Sequence, residues 1–303
     1  MRRRALLAVL AAGLAFPLVS AAPLAQELAL RLPLKPSSVR FLVIGDSGTG
    51  DSEQYETAAQ IIKYRAKFPF TFAIMLGDNM YGSERPQDFV KKFDQPYKAL
   101  LDEKVEFNAA LGNHDDPNQV YYKPFNLGGK RYRTFKKGDV RFFALDSNYL
   151  DPEQLRWLEK ELQSSGSDWK IAYFHHPLYS SASHGPTIEL RNALEPLFVK
   201  YGVDVVFAGH EHVYERIYPQ KGIYYFVEGG SAKLRAHDVQ KAAQTAASFD
   251  TDRSFMLVEI SGDEMFFQTI SRKGVTVDSG ILARRKVRPD LQSGAASAAP
   301  AGR

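Results

Sequence analysis

The stretch FTFAIMLGDNMY, residues 70–81, sets an apolar run directly ahead of a glycine, an aspartate and, three residues further on, a tyrosine. A short apolar run bounded by a turn signal reads as a buried strand. Gly77 opens the turn, so Asp78 stands at the strand's carboxyl end, a common place for a metal ligand. Tyr81 is then either a packed aromatic or part of the chemistry, and the rest of the chain has to decide between them.

Outward from this stretch, short strand-like runs alternate with amphipathic helices. The strand-like runs are 39–44, 70–76, 105–111, 140–145, 171–174 and 203–208, many rich in Val, Ile and Phe. Helical patterns fall at 52–67, at 152–163 and at 188–201; the second has Asp151 as its cap and Pro152 in its first turn. From 223 to 282 the character changes to strands joined by short turns, in segments such as GIYYFVEGG and SFMLVEIS. This order predicts helix-covered strands first, then a second sheet that finishes a sandwich. The alanine-rich stretch 232–247 reads as a surface excursion or a frayed helix, and 286–303 as a disordered tail.

The amino terminus has another purpose. Arg2, Arg3 and Arg4 precede an apolar run from Ala5 to Val19 and small residues at Ser20 to Ala22. That is the layout of a secretory signal peptide over residues 1–21, with cleavage after Ala21 and export to the periplasm or the medium. Its removal takes three of the 39 Lys and Arg residues and leaves the mature chain almost balanced against 35 acidic ones. The isoelectric point near 9.0 is therefore weak grounds for nucleic-acid binding. Cysteine is absent, so the core carries the stability and any metal needs oxygen and nitrogen ligands.

Of the seven histidines, all but His237 fall in turns that follow apolar runs. Five strand ends carry metal-competent groups: Asp46 in VIGDSGTG, Asp78 and Tyr81 in LGDNMY, Asn113 and His114 in LGNHD, His175 and His176 in FHHP, and His210 and His212 in AGHEH. Each block alone is explained as a turn, because turns need Gly, Asn and Asp. Turns have no need of histidine, however, and five such ends in order point to a binuclear metal site. Carboxylate, amide oxygen and imidazole suit iron, zinc or manganese, whereas calcium would want oxygen alone.

These blocks resemble those of the calcineurin-like metallophosphoesterase superfamily and, within it, the small tartrate-resistant type of purple acid phosphatase. The pattern DxG, GDxxY, GNH, xxH and GHxH is matched by Asp46-Ser-Gly48, Gly77-Asp-Asn-Met-Tyr81, Gly112-Asn-His114, Tyr173-Phe-His175 and Gly209-His-Glu-His212, with His184-Gly-Pro-Thr187 as a substrate-side segment. The resemblance implies a metallophosphoesterase fold over residues 37–285, a four-layer α/β/β/α sandwich of two mixed β-sheets flanked by helices. It implies ferric iron on Asp46, Asp78, Tyr81 and His212. A second ion (ferrous iron, zinc or manganese) would sit on Asp78, Asn113, His175 and His210. Other branches carry a histidine where Gly48 stands here, and Tyr81 would take over as ligand. The implied activity is hydrolysis of phosphate monoesters by a hydroxide generated on the metals, with His114 at the phosphoryl group and His184 at the leaving oxygen. A phosphodiesterase on the same core is the alternative, and a non-catalytic binding protein a more distant one.

His176 is expected to be pocket wall, Asp115, Asp146 and Glu211 to orient ligands or lie solvated in turns, and Tyr149 and Tyr179 to line the mouth or pack. Residues 22–38 leave no room for the extra N-terminal β-domain of many plant members. The expected partner is a small phosphate ester bound by a monomer, with no nucleic acid and no stable membrane insertion after cleavage.

Overall fold

The computed structural model describes residues 28–166 and 168–284. The signal peptide and the tail predicted from the sequence lie outside them. Alternation decides the layers. In β1 (Val39–Ile44), Phe41 and Val43 enter one buried cluster while Leu42 and Ile44 enter another. In β2 (Phe72–Met75), Phe72 and Ile74 likewise part from Ala73 and Met75. A strand apolar on both faces is one covered on both, and the two clusters are what cover it.

The helix α1 (Ser52–Arg65) starts at Asp51, whose side chain accepts from Gln54 N. Its Ala58, Ile61 and Tyr64 pack on the outer face of the first sheet. After β2 come two short helices, α2 (Pro86–Phe89) and α3 (Lys98–Asp102), and then β3 (Glu106–Ala109). The hairpin β4 (Arg133–Lys137) and β5 (Val140–Ala144) leads to α4 (Pro152–Ser164), β6 (Trp169–Phe174), α5 (Ile188–Tyr201) and β7 (Val205–Ala208). Asp151 caps α4 as expected, accepting from Gln154 N. The last strands are β8 (Tyr214–Gln220), β9 (Ile223–Glu228), β10 (Thr245–Phe249), β11 (Ser254–Ser261), β12 (Glu264–Ser271) and β13 (Thr276–Ala283).

The strands form two mixed sheets, ordered β13-β12-β11-β1-β2-β3 and β10-β8-β9-β7-β6-β5-β4. Phe41, Phe72, Phe142, Ile171, Phe207, Phe226 and Val258 fill the space between the sheets. Leu158, Leu162, Leu194 and Phe198 of α4 and α5 cover the outer face of the second sheet. The result is a four-layer α/β/β/α sandwich.

The order of assembly differs from the sequence expectation in one respect. The late strands do not make a second sheet of their own: β11 pairs antiparallel with β1 and returns β12 and β13 to the first sheet. Apolar alternation reports that a strand is buried but not which partner buries it. The excursion 232–247 is no helix; it is irregular and ends in β10, which pairs with β8. Within each sheet the helix-connected core is parallel, β1-β2-β3 in one and β5-β6-β7 in the other. That parallel order brings the carboxyl ends of five strands to one edge.

Candidate metal centre

Asp46 follows β1, Asp78 and Tyr81 follow β2, Asn113 and His114 follow β3, His175 and His176 follow β6, and His210 and His212 follow β7. The backbone itself is distorted here. Asp46, Asp78 and His210 have φ of 53°, 49° and 71°, the left-handed region that non-glycine residues avoid. Such strain, of order 1–3 kcal/mol each, persists where the surroundings over-determine it, characteristically at functional sites.

Two lone-pair clusters result. In the first, Tyr81 Oη donates to Asp46 Oδ1 at 2.8 Å and lies 3.0 Å from His212 Nε2, which is 3.4 Å from the same carboxylate oxygen. In the second, His175 Nε2 and His210 Nδ1 lie 2.9 and 3.0 Å from Asn113 Oδ1 and 3.1 Å from each other. His175 Nδ1 donates to the Leu76 carbonyl at 3.0 Å, which turns its Nε2 lone pair into the site. Asp78 reaches both clusters. It groups with Asp46 and His212, and its Oδ1 lies 3.4 Å from His175 Nε2.

Gly48 and Gly112 make this convergence possible. A methyl on Gly48 would overlap the Asn79 carbonyl, and Tyr81 N donates back to the Gly48 carbonyl at 2.9 Å. No side chain fits at Gly48, and the space above it belongs to the loop that presents Tyr81. A methyl on Gly112 would overlap Asp78 itself.

The electrostatics match a site built for cations. Burial, then repulsion from Asp78, pushes the Asp46 carboxyl well up; burial, then Asp46 and Asp78, does the same to the Tyr81 phenol. Burial, then His176, holds His175 well below the usual imidazole range, and burial, then His175, pushes His210 down to about 2. Burial, then Arg235, takes His212 to about 4. The polypeptide alone therefore suffers from anions crowded together and imidazoles kept neutral. A bound cation offsets the crowded anions and takes up the lone pairs of the neutral imidazoles, and oxygen and nitrogen donors at hydrogen-bonding separations are the chemistry it requires. The residues fit a metal pair.

The remaining expectations divide. His114 is exposed; its N–H donates to Asp78 Oδ1 at 2.9 Å, and its ring centroid is 5.0 Å from that of Tyr81. His184 faces His210 at 4.5 Å between ring centroids, its Nδ1 3.2 Å from Glu211 Oε2. His176 bonds Ser147 Oγ through Nδ1 at 2.9 Å, yet it also groups with His175 and His210. Asp115 ties the two loops together, accepting from Gly112 N, Met80 N and Asn79 Nδ2. Asp146 instead holds Arg131 at 2.5 Å. Tyr149 is exposed and lines a cavity of about 770 Å³ beside Asn113, His176 and Arg131. Tyr179 is buried and donates to Glu195, so packing is its role. His237 lies apart, as the sequence suggested, with its N–H on Asp250 O.

Sequence reasoning missed Arg131, Lys233, Arg235 and Glu228. The last is a fully buried carboxyl that burial pushes up to about 8, close enough to feel the charge of Asp46. None of the four sits in a motif, and only Glu228 follows an apolar run that could have drawn attention to it.

The family described as calcineurin-like phosphoesterase matches residues 39–214. Tartrate-resistant acid phosphatase type 5 of Homo sapiens is 27% identical over 82% of this chain and 92% of its own. Two solved structures share the fold. One is the GAP50 anchor of the inner membrane complex of Plasmodium (TM-score 0.72, 18% identity, 82% of this chain and 90% of that one). The other is a purple acid phosphatase from yellow lupin, Lupinus luteus, seeds (TM-score 0.67, 20% identity, 88% of this chain and 57% of that one).

Proposed function

The chain belongs to the calcineurin-like phosphoesterase family, and from that premise we propose that it is an exported purple acid phosphatase hydrolysing phosphate monoesters at a pair of metal ions. The observation that carries the reading is Asp78 standing between an oxygen-rich cluster and an imidazole-rich one. Asp46, Asp78, Tyr81 and His212 would hold ferric iron, for which a hard phenolate is suited. Asp78, Asn113, His175 and His210 would hold a divalent ion. When bound, such a pair supplies Lewis-acid polarisation of the phosphoryl group and an activated nucleophile.

The chain's own residues supply the rest. The His114 N–H bond to Asp78 fixes the backbone that carries an exposed imidazole at the rim, where it can donate to a phosphoryl oxygen. Glu211 is buried, and its Oε1 accepts from Gly185 N at 2.7 Å. Its other oxygen lies 3.2 Å from His184 Nδ1, which orients that ring toward His210 and sets His184 on the leaving-group side. Among the described residues no helix is long and apolar enough to cross a membrane. Export rests on the basic, apolar and small residues of 1–22.

Metal analysis and the visible spectrum test the assignment. Wild-type protein should carry iron and a second ion and show a broad visible band, which Tyr81→Phe abolishes. A band unchanged by that substitution removes Tyr81 from the iron. Turnover of an aryl monoester should exceed that of a bis-aryl diester. Strong diester preference would make the enzyme a phosphodiesterase, and no turnover of either by metal-loaded protein would leave a binding protein.

A further inference from the structure

The segment that leaves β9 carries two cations beside the site, and two backbone bonds fix its course. Lys233 N donates to the Asp46 carbonyl at 3.2 Å, and Arg235 N donates to the His212 carbonyl at 3.0 Å. Both anchors are residues of the first cluster, so the cations are held in register with it.

The two differ in what already occupies them. Arg235 lays its guanidinium along the His184 ring, with Nη1 3.0 Å from Nδ1 and Nη2 3.1 Å from Nε2. It also donates to Ser183 Oγ at 2.9 Å and has the carboxylates of Glu211 and Asp238 at 3.5 and 3.7 Å. Its charge is balanced, and it braces His184. Lys233 has no such company. Its Nζ lies 4.6 Å from the centroid of the Tyr81 ring and, among the described residues, forms no hydrogen bond or ion pair. An ammonium over an aromatic face is attracted only modestly, and most of its capacity to donate remains unused.

We propose that Lys233 grips the phosphoryl group of the substrate and sets a preference for dianionic monoesters over monoanionic diesters. The inference rests on the phosphatase reading above. A monoester presents one more anionic oxygen than a diester, which carries a second ester substituent in its place. The ammonium sits beside Tyr81 at the rim, on the same ring that His114 approaches. Its flexible stem lets three donors reach that extra oxygen, and its full positive charge supplies the attraction. A neutral, bulky substituent gains nothing from it.

The test compares wild type, Lys233→Met and Lys233→Arg as metal-loaded proteins. Three quantities are read: kcat/KM on an aryl monoester, kcat/KM on a bis-aryl diester, and affinity for inorganic phosphate by calorimetry. Lys233→Met should lose about 10- to 100-fold on the monoester and about tenfold in phosphate affinity, while the diester changes by less than about threefold. Lys233→Arg should keep most of the monoester preference. Equal losses on both esters, no loss on either, or an Arg variant as poor as the Met variant would overturn the proposal. If wild type hydrolyses neither ester, the phosphatase reading fails by itself, and the phosphate titrations then decide whether Lys233 grips a phosphoryl group: weaker binding by the Met variant sustains that grip, while equal or tighter binding, or none, ends it.

Discussion

The two halves of the site stand side by side but are built from different chemistry. Asp46, Tyr81 and His212 bring two oxygens and one nitrogen, with the carboxylate fully buried. His175, His210 and Asn113 bring neutral nitrogens and an amide oxygen. Hard anionic donors favour a highly charged ion and imidazoles a divalent one, so the asymmetry in donors predicts asymmetry in metals. Among the described residues Asp78 is the group shared by both, and the comparison can be broken most directly there.

Asp78→Asn should cost both halves at once. Activity is expected to fall by at least about 1000-fold, beyond the 10- to 100-fold usual for losing an outer partner, with metal content dropping at both positions. Loss of one ion only would show that Asp78 belongs to one half. Next in size are the neighbouring histidines of the imidazole half. His175→Ala should lower kcat by about 100-fold and deplete the divalent ion while the visible band survives, whereas His176→Ala should cost about tenfold. Equal effects would promote His176 to a ligand, as its grouping with His175 and His210 permits.

Gly48→Ala tests why the oxygen-rich half uses a tyrosine. The methyl overlaps the Asn79 carbonyl, so the loop must shift, at a cost of about 1–3 kcal/mol in chemical denaturation and with a weakened visible band. Unchanged stability and spectrum would mean that the loop yields freely. A further test is a pH slope in metal-free protein. Burial pushes Asp115 and Glu228 up to about 8, above their ordinary values of 3.8 and 4.5. The folded chain then binds more protons than the unfolded one between these limits. Stability is greatest below about pH 4 as far as these groups are concerned, and it declines as pH rises toward 8. Thermal unfolding of metal-free protein should follow that decline, and metal loading should flatten it. A metal-free slope of opposite sign would show that other groups govern the pH response.

Much of this was legible before any coordinates. The parallel strands announced themselves because each is apolar on both faces, as at Phe41 to Ile44, and the polar blocks stood out because they interrupt those runs. Strands of mixed polarity were harder. Arg133–Lys137 is half-covered and basic, and Tyr214–Gln220 mixes adjacent charges, aromatics and a proline, so neither resembles a core strand. The 232–247 excursion hid both a strand and two cations, since Lys233 and Arg235 are placed by backbone bonds to Asp46 and His212 rather than by periodicity.

The sequence by itself determined the inventory: which strands are buried, which turns end them, and which oxygen and nitrogen donors those turns carry. Each of these depends on neighbours within a few residues, through alternation and turn chemistry. Only the tertiary structure decided the groupings. That β11 returns to β1, that Gly48 leaves its space to the Tyr81 loop, that Glu211 holds His184 and that Lys233 overhangs Tyr81 are contacts between residues far apart in the chain. Their partners are chosen by packing of the two sheets, and no local pattern encodes that choice.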